Sequence, residues 1–492
     1  VVNLFLGLNG LKRFLGLVER VKCGVEGLDE VVEGGFPKGS LILLAGEPGT
    51  GKTVFSMEFL VKGVELNESG VYVSFAEAKN TLINNFSRHL NVDLAKLEVE
   101  GKIKILDFTA MKEESVSAIL ESILAEVKAL NAKRLVIDSF SALAQAFKEP
   151  IDVRIVVHTV LSRIVREMGC TTIMIEEAPI GESKIGLGME EFVADGLIRL
   201  RASELDKRLF RDLEIVKLRG TRLSERKLAF TLEGGFKAFT PFKLKPVEKP
   251  SRFKPIPDKP DKYSTGVKDL DGMLEGGLLK GSMVLLELDE KISTIMYHLL
   301  VAPMAANFVL QGRGVLVVPS SGVDPALFHK YINVYGGVED EWRRYARFIV
   351  ARSPLKTEAE PNIIMVGGED WKVDLSKVVE AVNKLNVETG KPNFSIVGVD
   401  TLITLYGKGN CEKILNLTAT MARKTEASII AIVKASYRDL AVKLSSIADI
   451  YLRLTREHGC LLLYGVKPRT GLYGVEMDVS KGYPLPKLTP II

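Results

Sequence analysis

The feature that most constrains this chain is the run Leu41-Ile42-Leu43-Leu44-Ala45, followed at once by Gly46-Glu47-Pro48-Gly49-Thr50-Gly51-Lys52-Thr53. A short apolar run bounded by glycine reads as a buried strand, and Val54 to Glu65 carries apolar residues at helical spacing. The order is therefore strand, G-x-x-x-x-G-K-T loop, helix. A polyphosphate needs several backbone N–H groups at close approach, which glycines permit, with the positive end of a helix behind them. In that setting Lys52 reaches the β- and γ-phosphates and the Thr53 hydroxyl holds Mg²⁺. A plain glycine-rich turn does not require this order of elements.

The second constraint is that one unit occurs twice. Gly24-Val25-Glu26-Gly27-Leu28-Asp29 returns as Gly266-Val267-Lys268-Asp269-Leu270-Asp271. Glu33-Gly34-Gly35-Phe36-Pro37-Lys38-Gly39-Ser40 returns as Glu275-Gly276-Gly277-Leu278-Leu279-Lys280-Gly281-Ser282, both at an offset of 242 residues. An offset of that size marks duplicated domains and not a solenoid. Between the copies, Pro241 to Pro260 holds six prolines and six Lys or Arg residues, a composition that predicts a stiff, extended, solvated linker. The expected domains are 19–240 and 261–480, with an apolar extension at 1–18 and a tail at 481–492.

With 492 residues, 46% hydrophobic and 26% charged, the chain can bury more than one large core. A net charge of +4 is too small to argue for or against nucleic acid. Cys23, Cys170, Cys411 and Cys460 lie far apart, which removes a zinc site or disulfide framework and fits a reduced, cytoplasmic compartment. Only Gln145 and Gln311 stand against many Lys, Arg and Glu, a balance that leans towards a thermophilic source. In residues 1–18 the charges Lys12 and Arg13 follow the apolar run, the wrong order for a secretory signal, and the run is too short for a membrane span. A docking segment or upstream extension is expected there.

In the first copy, apolar runs at Leu41–Ala45, Val71–Phe75, Ile103–Leu106, Leu135–Ile137 and Thr171–Ile175 alternate with helical patterns near Thr81–Leu90, Ser115–Leu130 and Val153–Met168. This predicts an α/β fold, a mainly parallel sheet covered by helices on both faces. Further strands are expected around Leu197–Arg201, Leu213–Leu218 and Leu228–Leu232. Ligand sites in such sheets lie beyond the carboxyl ends of the strands. Asp138, closing Leu135-Val136-Ile137, is thus expected to join Thr53 around Mg²⁺, the alternative being an Asp that caps a turn. Glu77, just past Val71–Phe75, is the candidate to orient the attacking water, against the alternative of a solvated loop residue.

Together the phosphate loop, the E-G-G-x-P-x-G-S turn before it, the L-V-I-D-S strand, Phe75-Ala76-Glu77-Ala78, Met189 to Gly196 and Val216-Lys217-Leu218-Arg219-Gly220 resemble the KaiC-like branch of the RecA/RadA ATPases. The resemblance spans both copies, roughly 19 to 480, and is far more specific in the first. It implies ATP and Mg²⁺ as cofactors and a homo-oligomer, a hexameric ring in the family. It also implies that Lys217 and Arg219, two apart on one strand face, reach the neighbouring subunit's γ-phosphate; the alternative is a solvated strand face. The family's tandem acidic pair is reduced here to Glu77 after Ala76, which implies slow hydrolysis.

The second copy departs from the pattern. Leu285 to Thr294 stands where the phosphate loop belongs, is two residues shorter and holds no glycine. Ile292 falls at the place of Lys52 and Ser321 at that of Glu77, while Asp289 and Glu290 would repel a triphosphate. What remains is Asp400, read at the end of a strand Phe394–Val399, and Lys467-Pro468-Arg469, which resembles the Lys217–Arg219 pair. Ser445-Ser446 resembles the self-phosphorylation position of clock-type relatives, but without a phosphate loop two ordinary polar residues are expected and autokinase activity is not.

The sequence therefore reads as an ATPase slowly turning over ATP·Mg²⁺ in its first domain, with a second domain kept for assembly, partner contact or regulation. One rival is a DNA recombination accessory protein like the RadA paralogues; another is a nucleotide sensor with little turnover. The loops 148–152 and 181–186 have balanced charge and no aromatic platform, so DNA binding finds no support in them. No membrane partner is expected.

Overall fold

The computed structural model describes residues 18–109, 116–144, 163–178, 194–336, 339–352 and 362–492. It divides into two units, Val1–Pro241 with Ile491–Ile492, and Phe242–Pro490. The loops 148–152 and 181–186, Met189 to Val193 and most of Val153–Met168 lie outside the described residues; of the last, Arg163–Glu167 forms a single π-helical turn.

The first unit is built on a nine-stranded sheet. From one edge to the other run Ile103–Asp107, Gly70–Ser74, Arg134–Asp138, Thr171–Glu177, Leu41–Gly46, Gly196–Leu205, Arg208–Leu218, Lys227–Thr231 and Lys237–Ala238. The first six are mutually parallel and the last three antiparallel to their neighbours. Every residue of Leu41–Gly46 is buried because this strand is covered on both faces. Ile42 and Leu44 face one apolar cluster with Phe55, Phe59 and Leu60 of the helix Lys52–Glu65, whereas Leu41, Leu43 and Ala45 face another with Ile119, Ile123 and Val127 of the helix Val116–Ala129. The alternation of one strand between two cores is what places Gly46 at a fixed point on the sheet's carboxyl rim.

The second unit repeats this order with one additional edge strand: Ile363–Val366, Ala346–Ala351, Val315–Val318, Phe394–Gly398, Ser428–Val433, Met283–Leu288, Ile450–Glu457, Cys460–Lys467, Tyr473–Asp478 and Leu485–Pro490. Both units are thus mainly parallel sheets flanked by helices, two RecA-like α/β domains in tandem. Among the described residues no helix is long and apolar enough to cross a membrane.

Two boundaries differ from those read in the sequence. The proline-rich stretch is extended and mostly exposed, but it belongs to the second unit and is tied to it: Phe253 is buried between Tyr335 and Tyr483, its N–H donates to Tyr335 O, and Ser251 N donates to Gly482 O. Phe242 N donates to Gly459 O, Ile256 N to Asn307 Oδ1, and Asp258 pairs with Arg313, contacts between distant residues that composition averages away. The stretch expected as a tail instead supplies Leu485–Pro490, the edge strand paired antiparallel with Tyr473–Asp478.

Candidate functional site

At the carboxyl end of Leu41–Gly46 the chain turns through Gly49 at φ 76° and Gly51 at φ 96°, left-handed values that glycine tolerates without strain. A Cβ on Gly46 would stand 2.8 Å from Leu200 O, and one on Gly51 2.8 Å from a Leu232 methyl. Gly51 caps the helix Lys52–Glu65 without any side-chain hydrogen bond, so the first N–H groups of that helix are left to whatever the loop encloses. The Arg211 guanidinium, on a strand of the same sheet, donates to Gly49 O at 3.1 Å and steadies the loop.

Lys52 is buried and its ammonium donates to Gly46 O at 2.8 Å and to Glu47 O at 2.9 Å. Burial pushes its pKa down, while Glu177, Asp138 and Glu47 oppose the shift. Thr53 Oγ1 donates to Asp138 Oδ2 at 3.1 Å, and the buried Tyr72 hydroxyl donates to the same oxygen. Burial raises the Asp138 pKa; the bonds from Tyr72 and Thr53 and the charge of Lys52 pull it back. Strand register explains the convergence, because Ser74 pairs with Asp138 and Gly46 with Glu177.

Glu77 lies in the turn after Gly70–Ser74, where Ser74 Oγ donates to Glu77 O at 2.6 Å and Phe75 N donates to Asp138 O at 2.7 Å. Its backbone is therefore held beside Asp138, and its side chain is exposed. Gly46 to Thr53, Asp138 and Glu77 are brought together at one rim. Lys217 and Arg219 are not. Lys217 pairs with Leu197, which pairs with Leu43, and Arg219 N donates to Asp195 O while Asp195 accepts from Leu41 N. Arg219 is thus level with Leu41, five strand residues or roughly 16 Å from Gly46. Its guanidinium lies 3.5 Å from Asp195.

Three residues of this site escape motif reading. Glu177 ends the strand Thr171–Glu177 on the side of Ile175, towards the phosphate-loop helix. Its signal was present, since Ile173-Met174-Ile175-Glu176-Glu177 is another apolar strand closing in carboxylates. Tyr72 and Arg211 gave no signal, because an aromatic in a buried strand and an arginine in a charged strand are unremarkable until the register is known.

The second unit lacks the glycine loop and the lysine of this site. Its loop 289–293 leads to the helix Thr294–Leu310, and Ile292 packs against the apolar core where Lys52 would project. Phe394–Gly398 ends before Asp400, so this residue is not at the strand end where the sequence places it; it sits in the first turn of the next helix. There its carboxylate accepts from Ser321 N and pairs with Lys434 at 2.8 Å. Lys467 pairs with Tyr451 beside a bulge, in the same register as Lys217 with Leu197.

Comparison with known proteins agrees with this geometry. Residues 21–236 match the family model "ATPase: KaiC", and residues 252–340 match "GvpD basic region 2". A UPF0273 protein of Pyrococcus furiosus is 34% identical over 230 residues, 44% of this chain and 92% of the relative. The circadian clock oscillator protein KaiC of Synechococcus elongatus is 34% identical over 282 residues, 54% of this chain and 52% of the relative. The chain therefore spans about half the length of the clock relatives that it matches. The crystal structure of a KaiC-like protein from Pyrococcus horikoshii is 42% identical, covering 45% of this chain and all of that one, with a TM-score of 0.41. With residues 21–236 matching the KaiC family model and a relative of 34% identity matched over 92% of its length, the chain belongs to the KaiC-like ATPases of the RecA-like P-loop class.

Proposed function

We propose that the first unit binds ATP with Mg²⁺ and hydrolyses it slowly, and that the second unit binds no nucleotide and serves assembly or regulation. The observation that carries this reading is the convergence of the Lys52 ammonium, the Thr53 hydroxyl and the Asp138 carboxylate beside a glycine loop whose helix end is uncapped. Lys52 would exchange its two loop carbonyls for β- and γ-phosphate oxygens. Thr53 and Asp138 would hold the Mg²⁺, which neutralises charge on the phosphates when bound. Glu77 would accept a proton from, or orient, the attacking water.

Lys217 and Arg219 lie too far from their own loop to touch its γ-phosphate, which supports their action on a neighbouring copy and hence a ring, hexameric by family likeness. Ala76 leaves one carboxylate in that turn, which supports slow turnover and keeps a nucleotide-sensing role as the second reading.

Glu77→Gln tests the assignment, because the amide keeps the shape but takes no proton. We expect unchanged ATP affinity and a turnover roughly 10²- to 10⁴-fold lower. Turnover equal to wild type would return Glu77 to a solvated loop residue. The same assay with single-stranded DNA, beside sizing with and without ATP, separates ring ATPase from DNA accessory protein.

A further inference from the structure

The Tyr72 hydroxyl takes no part in the chemistry proposed above, yet it is fully buried and donates to Asp138, the carboxylate proposed to hold the metal. Both recorded hydrogen bonds to Asp138, from Tyr72 and from Thr53, fall on Oδ2; among the described residues none is recorded on Oδ1. Tyr72 and Thr53 thus meet on one oxygen of Asp138, and the three residues form an open triangle with its apex at Oδ2. Its corners sit on two adjacent parallel strands and on the first turn of the phosphate-loop helix, so the triangle is as rigid as the sheet.

We propose that Tyr72 is a positioning residue for the divalent cation: its hydroxyl occupies Asp138 Oδ2 and fixes the rotation of the carboxylate, leaving Oδ1 as the oxygen to serve the cation. An oxygen that already accepts two O–H donors is a poor direct ligand. The neighbouring Thr53 can donate its proton to Oδ2 and still offer an oxygen lone pair to the ion, so the triangle serves both metal-facing groups at once. Without Tyr72, Asp138 keeps one donor and gains freedom to rotate. Outer groups of this kind are worth about 10- to 100-fold in metal affinity.

This inference rests on the nucleotide site proposed above, so the test reads the nucleotide and the metal separately. With a fluorescent ADP analogue in EDTA, Tyr72→Phe should bind within about twofold of wild type, which also reports an intact loop. Mn²⁺ titration of the protein–ADP complex, followed by electron paramagnetic resonance, should then show at least about tenfold weaker binding in the variant. Replacing Tyr72 with 4-aminophenylalanine, which keeps a donor there, should restore most of it. Equal Mn²⁺ affinity in Tyr72→Phe and wild type overturns the proposal. Loss of ADP binding by wild-type protein in EDTA would instead count against the nucleotide site itself. Should Tyr72→Phe fail to fold, the 4-aminophenylalanine variant decides: Mn²⁺ affinity near wild type is expected, and a loss of about tenfold or more with ADP binding intact refutes the proposal.

Discussion

The two units share one strand order and differ in what stands at the sheet's carboxyl rim. In the first, Gly46 to Thr53 leaves room for phosphates, and the end of Thr171–Glu177 presents Glu177 towards Lys52. In the second, Leu288 has replaced Gly46, and Lys434 stands beside it at the equivalent of Glu177 and pairs with Asp400. The second unit thus puts a cation where the first has the Glu177 carboxylate, and closes it in an internal ion pair. Glu287, at the place of Ala45, is buried and held by Tyr451, Arg438 and Arg453. The lesson is that one strand order can carry at its rim either a glycine loop or charges closed on one another.

The comparison breaks most readily on stoichiometry. Calorimetry should find one ATP per chain, Lys52→Ala should remove binding and turnover, and Asp400→Ala should leave both nearly intact. Two ATP per chain would mean that the rim of the second unit is open after all. Next in size, Arg219→Ala should bind ATP and lose about 10³- to 10⁵-fold in turnover. Mixing it with Lys52→Ala under subunit exchange should then return activity, because some interfaces pair an intact loop with an intact Arg219. Mixed assemblies that stay inactive would refute action across subunits.

A smaller effect sharpens the contrast in the second unit. Glu287→Ala leaves Arg453 facing a buried void and should lower that unit's stability by about 3 kcal/mol. In a calorimetric scan the transition that ADP does not shift should move down, while the ADP-sensitive one stays. If both move together, the units do not unfold separately.

The smallest effect concerns pH in the first unit. Burial pushes the Glu58 carboxyl up to about 7, opposed by the hydrogen bond from Phe236 N. An acid whose folded pKa is raised costs stability once ionised, so the first unit should be most stable below about pH 4.5 on this account and lose on the order of 2 kcal/mol as pH rises past 7. Glu58→Gln should therefore raise its melting temperature at pH 8 and leave it unchanged at pH 4. No gain at pH 8 would show that Glu58 finds enough solvent to ionise freely.

The sequence by itself determined the fold class, the duplication and the phosphate loop, because each is written in local order: apolar runs alternating with helical spacing, a repeated turn, and glycines at set intervals before Lys52 and Thr53. It also named Asp138 as a candidate, since a carboxylate closing a buried strand beside a phosphate loop is favoured over one that caps a turn. What only the tertiary structure decided depends on register between distant strands. Tyr72 meets Asp138 because Gly70–Ser74 and Arg134–Asp138 are neighbours, and Arg211 meets Gly49 because a later strand folds back beside the loop. Asp400 belongs to a helix turn and not a strand end because Phe394–Gly398 stops two residues earlier, and Phe253 anchors a strap that its composition alone leaves in solvent. Local pattern specifies each element, whereas contacts between elements far apart in the chain depend on how the whole sheet is ordered.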